Sequence, residues 1–234
     1  MSWLFALGVL LAAAVLWLLY RLLRAGEAAT HADWGDPWTS RIAGLIGLFC
    51  RYVHRFEYDP IPLPTEGGAV VVANHISGLD PFLLIVASPR PLRFLIAREQ
   101  YERFGLKWLF RRAQCIPVDR ERRPERAMRE ALRALQAGDV VALFPQGRIH
   151  VPTAGPRKLK GGAVRLAHQC HCRIYPVQVS GVRAQGHTAL AIIVPSRSRM
   201  RTLPTLDCQE LSHEDCLAAL AERLGLVAQH QQAR

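Results

Sequence analysis

Residues 69–81 read AVVVANHISGLDP. Ala69 to Ala73 are small or β-branched and uncharged, with no polar alternation. That pattern marks a strand covered on both faces. The chain then turns polar at Asn74 and His75. Gly78 supplies a turn, Asp80 is placed as a helix N-cap, and Pro81 falls in the first helical turn. A buried strand that passes through a short turn into a helix is the opening of a strand–helix unit, the building block of a parallel sheet.

The same alternation continues outward. LRFLIA (92–97), QCIPV (114–118), VVALF (140–144), IYPVQV (174–179) and LAIIV (190–194) read as further strands. A helix is expected after Pro124, with Met128, Ala131, Leu132 and Leu135 on one face and Gly138 ending it. Another follows Gly162. A last one starts at Ser212, with Asp215 completing a capping box, and runs to about Leu226. The fold class is α/β, a largely parallel central sheet flanked by helices. Pro60, Pro62, Pro64, Gly67 and Gly68 break the pattern before the first strand, so this domain takes residues 59–234.

Upstream the chain changes character. From Trp3 to Tyr20 no residue is charged, and a helix of that run spans about 27 Å, close to a bilayer's hydrocarbon core. Trp3, Trp17 and Tyr20 stand near its ends, where amphipathic rings favour headgroups. Residues 1–24 therefore read as an anchor, either fully transmembrane or re-entrant, with N-terminal membrane helices as the expected arrangement. A cleaved leader fits poorly, because no Lys or Arg precedes the apolar run and the run is too long. Arg21 and Arg24 place the remainder on the cytoplasmic face by the positive-inside rule. Residues 25–58 read as a connector followed by an amphipathic helix. Its apolar stripe is Ile42, Leu45, Ile46, Phe49, Val53 and Phe56, Ser40 is its expected cap, and Arg41, Arg51, His54 and Arg55 fall between. Such a stripe meets either a membrane interface or the domain's own core.

Thirty Lys and Arg against nineteen Asp and Glu give a net charge of +11, so an anionic partner is expected. Nucleic acid is set aside, since aromatics are only 8% and no reading module occurs. Membrane phospholipids and phosphate-bearing substrates remain. The six cysteines are too sparse for a secreted scaffold and are expected as reduced thiols. His168, Cys170, His171 and Cys172 crowd into five residues. Zinc sites draw on two separated pairs, so no metal is expected there. Cys115 reads as core, not nucleophile.

Four segments carry candidate chemistry. The first is Asn74, His75 and Asp80. An imidazole can take a proton from an alcohol, and a carboxylate on its other nitrogen fixes the tautomer. The second is Cys115–Arg120, a strand ending in the charged turn Asp119-Arg120. The third is Phe144-Pro-Gln146-Gly147-Arg148. The fourth is Arg157-Lys-Leu-Lys160-Gly161-Gly162, a basic glycine-rich loop opening a helix, which favours an anion such as phosphate.

In that order, over about residues 60–200, the four segments resemble the glycerophospholipid acyltransferase family, in its 1-acyl-glycerol-3-phosphate branch. Asn74, His75 and Asp80 match the first family motif, Asp119 and Arg120 the end of the second, and Pro176 the proline of the last. The resemblance implies His75 as general base and Asp80 as its orienting carboxylate. It implies a substrate site drawn from Asn74, Arg120, Gln146, Gly147, Arg148, Lys160 and Gly161. The acceptor is then a lysophospholipid hydroxyl, the product phosphatidic acid, and the donor an acyl-CoA or acyl carrier protein thioester; no resident cofactor is implied. The basic surface around Arg98–Arg133 suits either donor. The third motif departs from the family's Phe-Pro-Glu-Gly-Thr-Arg at Gln146, Arg148 and Ile149. That departure keeps two alternatives open: another lysolipid acceptor, or a lipid-binding membrane protein without catalysis.

Overall fold

A computed structural model describes residues 2–120, 124–151, 153, 155 and 159–226. The expected site residues fall within these ranges; Arg157 and Lys158 of the fourth segment lie outside them.

Among the described residues the sheet has seven strands in the order β1-β7-β6-β2-β5-β3-β4. They are β1 (Glu57–Tyr58), β2 (Ala69–Ala73), β3 (Leu92–Ala97), β4 (Ile116–Val118), β5 (Val140–Leu143), β6 (Ile174–Ser180) and β7 (Arg199–Thr202). From β6 across to β4 every neighbouring pair is parallel, while β7 runs antiparallel to β6 and parallel to β1. β2 is central and buried along its whole length. Its side chains divide between two cores. Val71 joins Leu83, Leu84, Phe94 and Val177 on one face; Val70 and Val72 join Ala131, Val164, Leu166 and Leu220 on the other.

The helices are α1 (Ser2–Ala29), α2 (Pro37–Val53), α3 (Asp80–Ala87), α4 (Arg98–Tyr101), α5 (Lys107–Arg112), α6 (Pro124–Gln136), α7 (Gly162–Cys170), α8 (Leu190–Ile193) and α9 (His213–Arg223). Among the described residues α1 alone is long and apolar enough to cross a membrane. It runs past the expected residue 24, to about 42 Å in all, so the connector shrinks to residues 30–36. Its apolar side chains stay exposed, and it meets the rest of the chain where Gly26 crosses Gly44 of α2. The helix α2 starts earlier than expected. Asp36, not Ser40, is its cap and accepts from the amides of Trp38 and Thr39; Ser40 accepts from the amide of Trp34 instead. Of the two readings of its stripe, packing on the domain holds for Ile46 and Phe49, which rest on the core.

One strand expectation fails, and the strand β7 was not expected. LAIIV (190–194) is the short helix α8, with Ala191 buried and Leu190 and Ile193 exposed. Periodicity in so short an apolar run cannot separate strand from helix. The strand beyond β6 is Arg199–Thr202, whose basic alternation suits a half-exposed antiparallel strand. The reduced-thiol expectation also changes. Cys170 and Cys172 are paired through sulfur, and so are Cys208 and Cys216; Cys50 and Cys115 remain free and buried. Burial drives those two thiols up, Cys50 to about 12 and Cys115 to about 11.

Candidate active site

The C-terminal ends of β2 and β5, neighbours in the sheet, carry the first and third segments. Ligands of such sheets gather at these strand ends. His75 leaves β2 and turns its Nδ1 onto Asp80 Oδ2 at 2.9 Å. The imidazole side chain is 17% exposed and the carboxylate 0%. Asp80 does not cap α3 as expected; it is the first helical residue, with Leu79 in the cap position. Its carboxylate points back into the loop instead. Oδ2 accepts from the amides of Ile76 (2.7 Å) and Ser77 (2.9 Å), and Oδ1 from the Ser77 hydroxyl (2.6 Å). A buried carboxylate needs such donors, and these four bonds fix both its oxygens. Because a carboxylate only accepts, Nδ1 of His75 donates, and Nε2 keeps its lone pair.

The imidazole is held from behind as well. Its ring stacks on Phe144 with centroids 4.1 Å apart. Its backbone amide donates to Gln146 Oε1 at 2.6 Å, and its carbonyl accepts from the His150 amide at 2.7 Å. Gln146 is almost wholly buried, so it serves the loop that carries His75. The loop's other side is clasped by residues 184–189. Gly186 donates to the Ile76 carbonyl, and Gly78 donates to that of His187. A Cβ on Gly78 would stand 2.1 Å from the Thr188 carbonyl oxygen, so only glycine fits.

Gly147 has φ +75° and a cationic neighbour: a Cβ there would sit 3.0 Å from Lys160 Nζ. The Lys160 amide donates to the Pro145 carbonyl at 2.9 Å, tying the fourth segment to the third. Gly161 precedes α7 and backs onto His213, whose Nε2 would lie 2.4 Å from an added Cβ. Arg148 and Lys160 are exposed. The helix N-terminus and the lysine give this corner a positive field.

Two expected substrate residues stand differently. Asn74 is buried, and its amide is used on both ends: Nδ2 donates to the Val179 carbonyl (2.9 Å) and Oδ1 accepts from the Val179 amide (2.7 Å). It clamps β2 to β6, so both of its polar atoms are engaged within the sheet. Arg120 lies beyond the edge strand β4, about three strand spacings or 14 Å from β2. Its guanidinium faces Glu99 at 3.9 Å, so the structure does not bring it to the imidazole. The basic surface near it is partly offset: Arg98 pairs with Glu102 and Asp119. A separate groove of about 690 Å³, lined by Tyr52, Arg55, Arg183 and Arg197 among others, contains none of the expected site residues.

Ser77, Phe144 and Gly186 were not singled out by sequence. Ser77 sits inside the first segment and Phe144 opens the third, so position within the motifs was the available signal. Gly186 had none.

The acyltransferase family profile matches residues 55–180, which hold His75, Asp80 and Gln146. The chain belongs to the acyltransferase family. This acyltransferase is 25% identical over 174 residues to a 1-acyl-sn-glycerol-3-phosphate acyltransferase of Bacillus subtilis, covering 71% of this chain and 82% of the relative. It is 27% identical over 157 residues to a probable enzyme of that kind from Mycoplasma pneumoniae, covering 63% and 56%. Its fold matches the crystal structure of the Thermotoga maritima 1-acyl-sn-glycerophosphate acyltransferase with a TM-score of 0.66, at 19% identity, over 80% of this chain and 78% of the other.

Proposed function

We propose that this enzyme moves a fatty acyl group from an acyl-CoA or acyl carrier protein thioester to the free hydroxyl of 1-acyl-glycerol-3-phosphate, giving phosphatidic acid, at the cytoplasmic face of the membrane that holds α1. The observation that carries the reading is the 2.9 Å contact between His75 and a fully buried Asp80.

Nε2 of His75 takes the proton of the acceptor hydroxyl as its oxygen attacks the thioester carbonyl. The carbon–oxygen bond forms, the tetrahedral adduct collapses, and the carbon–sulfur bond breaks. The departing thiolate receives the proton from the imidazolium, which Asp80 has stabilised meanwhile. No acyl-enzyme is needed. Lys160, the backbone at Gly147 and the start of α7 face the acceptor phosphate. Arg148 extends that cationic rim.

The departures at Gln146 and Arg148 bear unequally on acceptor choice. Gln146 is engaged with the His75 backbone, so its missing charge leaves the acceptor untouched. Arg148 is exposed beside Gly147 and supports a second reading, in which another lysolipid head group is preferred.

Full-length protein in detergent, given paired thioester donors and a lysolipid panel, tests both. Acyl transfer to lysophosphatidate, abolished in His75→Ala, is the expected outcome. Preference for a different lysolipid establishes the second reading, and unchanged turnover in His75→Ala refutes the mechanism.

A further inference from the structure

The sequence alone offers one crowded pair, Cys170 and Cys172, and a zinc site wants a second, separated pair. The fold supplies it. After β7 the chain returns alongside the segment that opens β6. Ile174 bridges Leu206 antiparallel, Arg173 Nε donates to Asp207 at 3.3 Å, and His171 Nδ1 meets Gln209 Oε1 at 2.7 Å. This register sets Cys172 opposite Cys208. Cys216, one turn into α9, closes on Cys208. Cys172, Cys208 and Cys216 are buried in one apolar cluster, with Cys170 packed against it.

A fifth donor belongs to this cluster. A ring nitrogen of His168, on α7, and the sulfurs of Cys208 and Cys216 all lie within 4.8 Å of one another. His168 Nε2 donates to the Cys208 carbonyl at 2.7 Å. That bond fixes the tautomer and leaves the lone pair on Nδ1, the arrangement usual for a metal-bound histidine.

We propose that the reduced protein binds one zinc ion here, through Cys172, Cys208, Cys216 and His168. In tetrahedral sites Zn–S is about 2.3 Å and Zn–N about 2.0 Å, which places donor atoms about 3.5 Å apart. His168, Cys208 and Cys216 already hold their donor atoms within 4.8 Å of one another, and Cys172 completes the set once reduction frees it from Cys170. A thiol reductant delivers two electrons and two protons to each sulfur pair, giving four thiols. Zn²⁺ then displaces the protons of Cys172, Cys208 and Cys216 and accepts the Nδ1 lone pair. With four protein donors the site is closed, so its part is structural. It clips the end of α7, the start of α9 and the returning segment together. The same α9 places His213 against Gly161 at the phosphate corner, so the clip braces the acceptor site from behind.

The test uses the full-length protein in detergent, purified under a thiol reductant without added metal. Elemental analysis is expected to find about one zinc per chain. Exchange with Co²⁺ is expected to give a thiolate-to-cobalt charge-transfer band, and chelation to lower the melting temperature, restored by zinc. Cys208→Ser and His168→Ala are expected to lose the metal. Should those variants unfold, the cobalt spectrum of the wild-type protein decides alone. A reduced wild-type protein with neither zinc nor a cobalt–thiolate band overturns the proposal, as does full zinc retention in a folded Cys208→Ser variant.

Discussion

Replacing Asp80 by Asn changes one atom and removes one charge. The shape is kept: an amide oxygen in the Oδ2 position can still accept from His75 Nδ1 and the Ile76 and Ser77 amides. The Ser77 hydroxyl can turn to accept from the new NH₂ where it now donates to Oδ1. The loss is therefore mostly electrostatic. An imidazolium and a carboxylate 2.9 Å apart attract by about 6 kcal/mol at an effective dielectric of ~20. The imidazole is partly open to solvent, so about 3–5 kcal/mol survives screening in the transition state. That corresponds to a fall of about 10²–10⁴ in kcat. The charge develops only as the hydroxyl proton moves, so KM for the acceptor is expected to change little. The assay is release of free thiol from an acyl-CoA donor at saturating lysophosphatidate, alongside thermal melts. A folded Asp80→Asn enzyme with kcat within threefold of wild type would refute the charge argument and remove Asp80 from the mechanism.

Two further outcomes follow from the geometry. Gly147→Ala puts a side chain at φ +75° and against the Lys160 terminus; it is expected to cost about 1–2 kcal/mol in a denaturant melt and to raise acceptor KM by displacing the ammonium. His54 is wholly buried, with Nε2 donating to the Ile192 carbonyl and Nδ1 accepting from Ser196. Desolvation holds its pKa below the usual histidine value. Its neutral form therefore contributes stability that is present above the unfolded pKa of about 6.5 and lost as pH falls through the lower folded value. Melting temperature is expected to drop below pH 6.5 in the wild type and less steeply in His54→Gln.

The parallel centre of the sheet was legible because it is buried on both faces. Val70, Val71 and Val72 leave no other reading, and the same holds for Val140 to Leu143. The edges were not. Arg199 and Arg201 face solvent along β7, so no apolar run announces that strand. Leu190 to Ile193 are apolar for a reason other than a sheet. At the site, His75 and Asp80 could be named from the resemblance of their segment to the family motif, but their orientation depends on Gln146 and Phe144, 71 and 69 residues beyond His75 in the chain. The clamp made by Asn74 was hidden for the same reason: its partner, Val179, is 105 residues away. The second cysteine pair was hidden because only the antiparallel return of residues 206–209 places it.

The crossing of Gly26 over Gly44 has one more consequence. An added Cβ on Gly44 would stand 1.8 Å from the Gly26 carbonyl oxygen, so the two backbones are in direct contact there. That makes the junction a stiff elbow, which sets the angle between α1 and the domain that carries the imidazole. A methyl group at the elbow would force the two helices apart and swing α1 relative to the sheet, without touching any residue of the site.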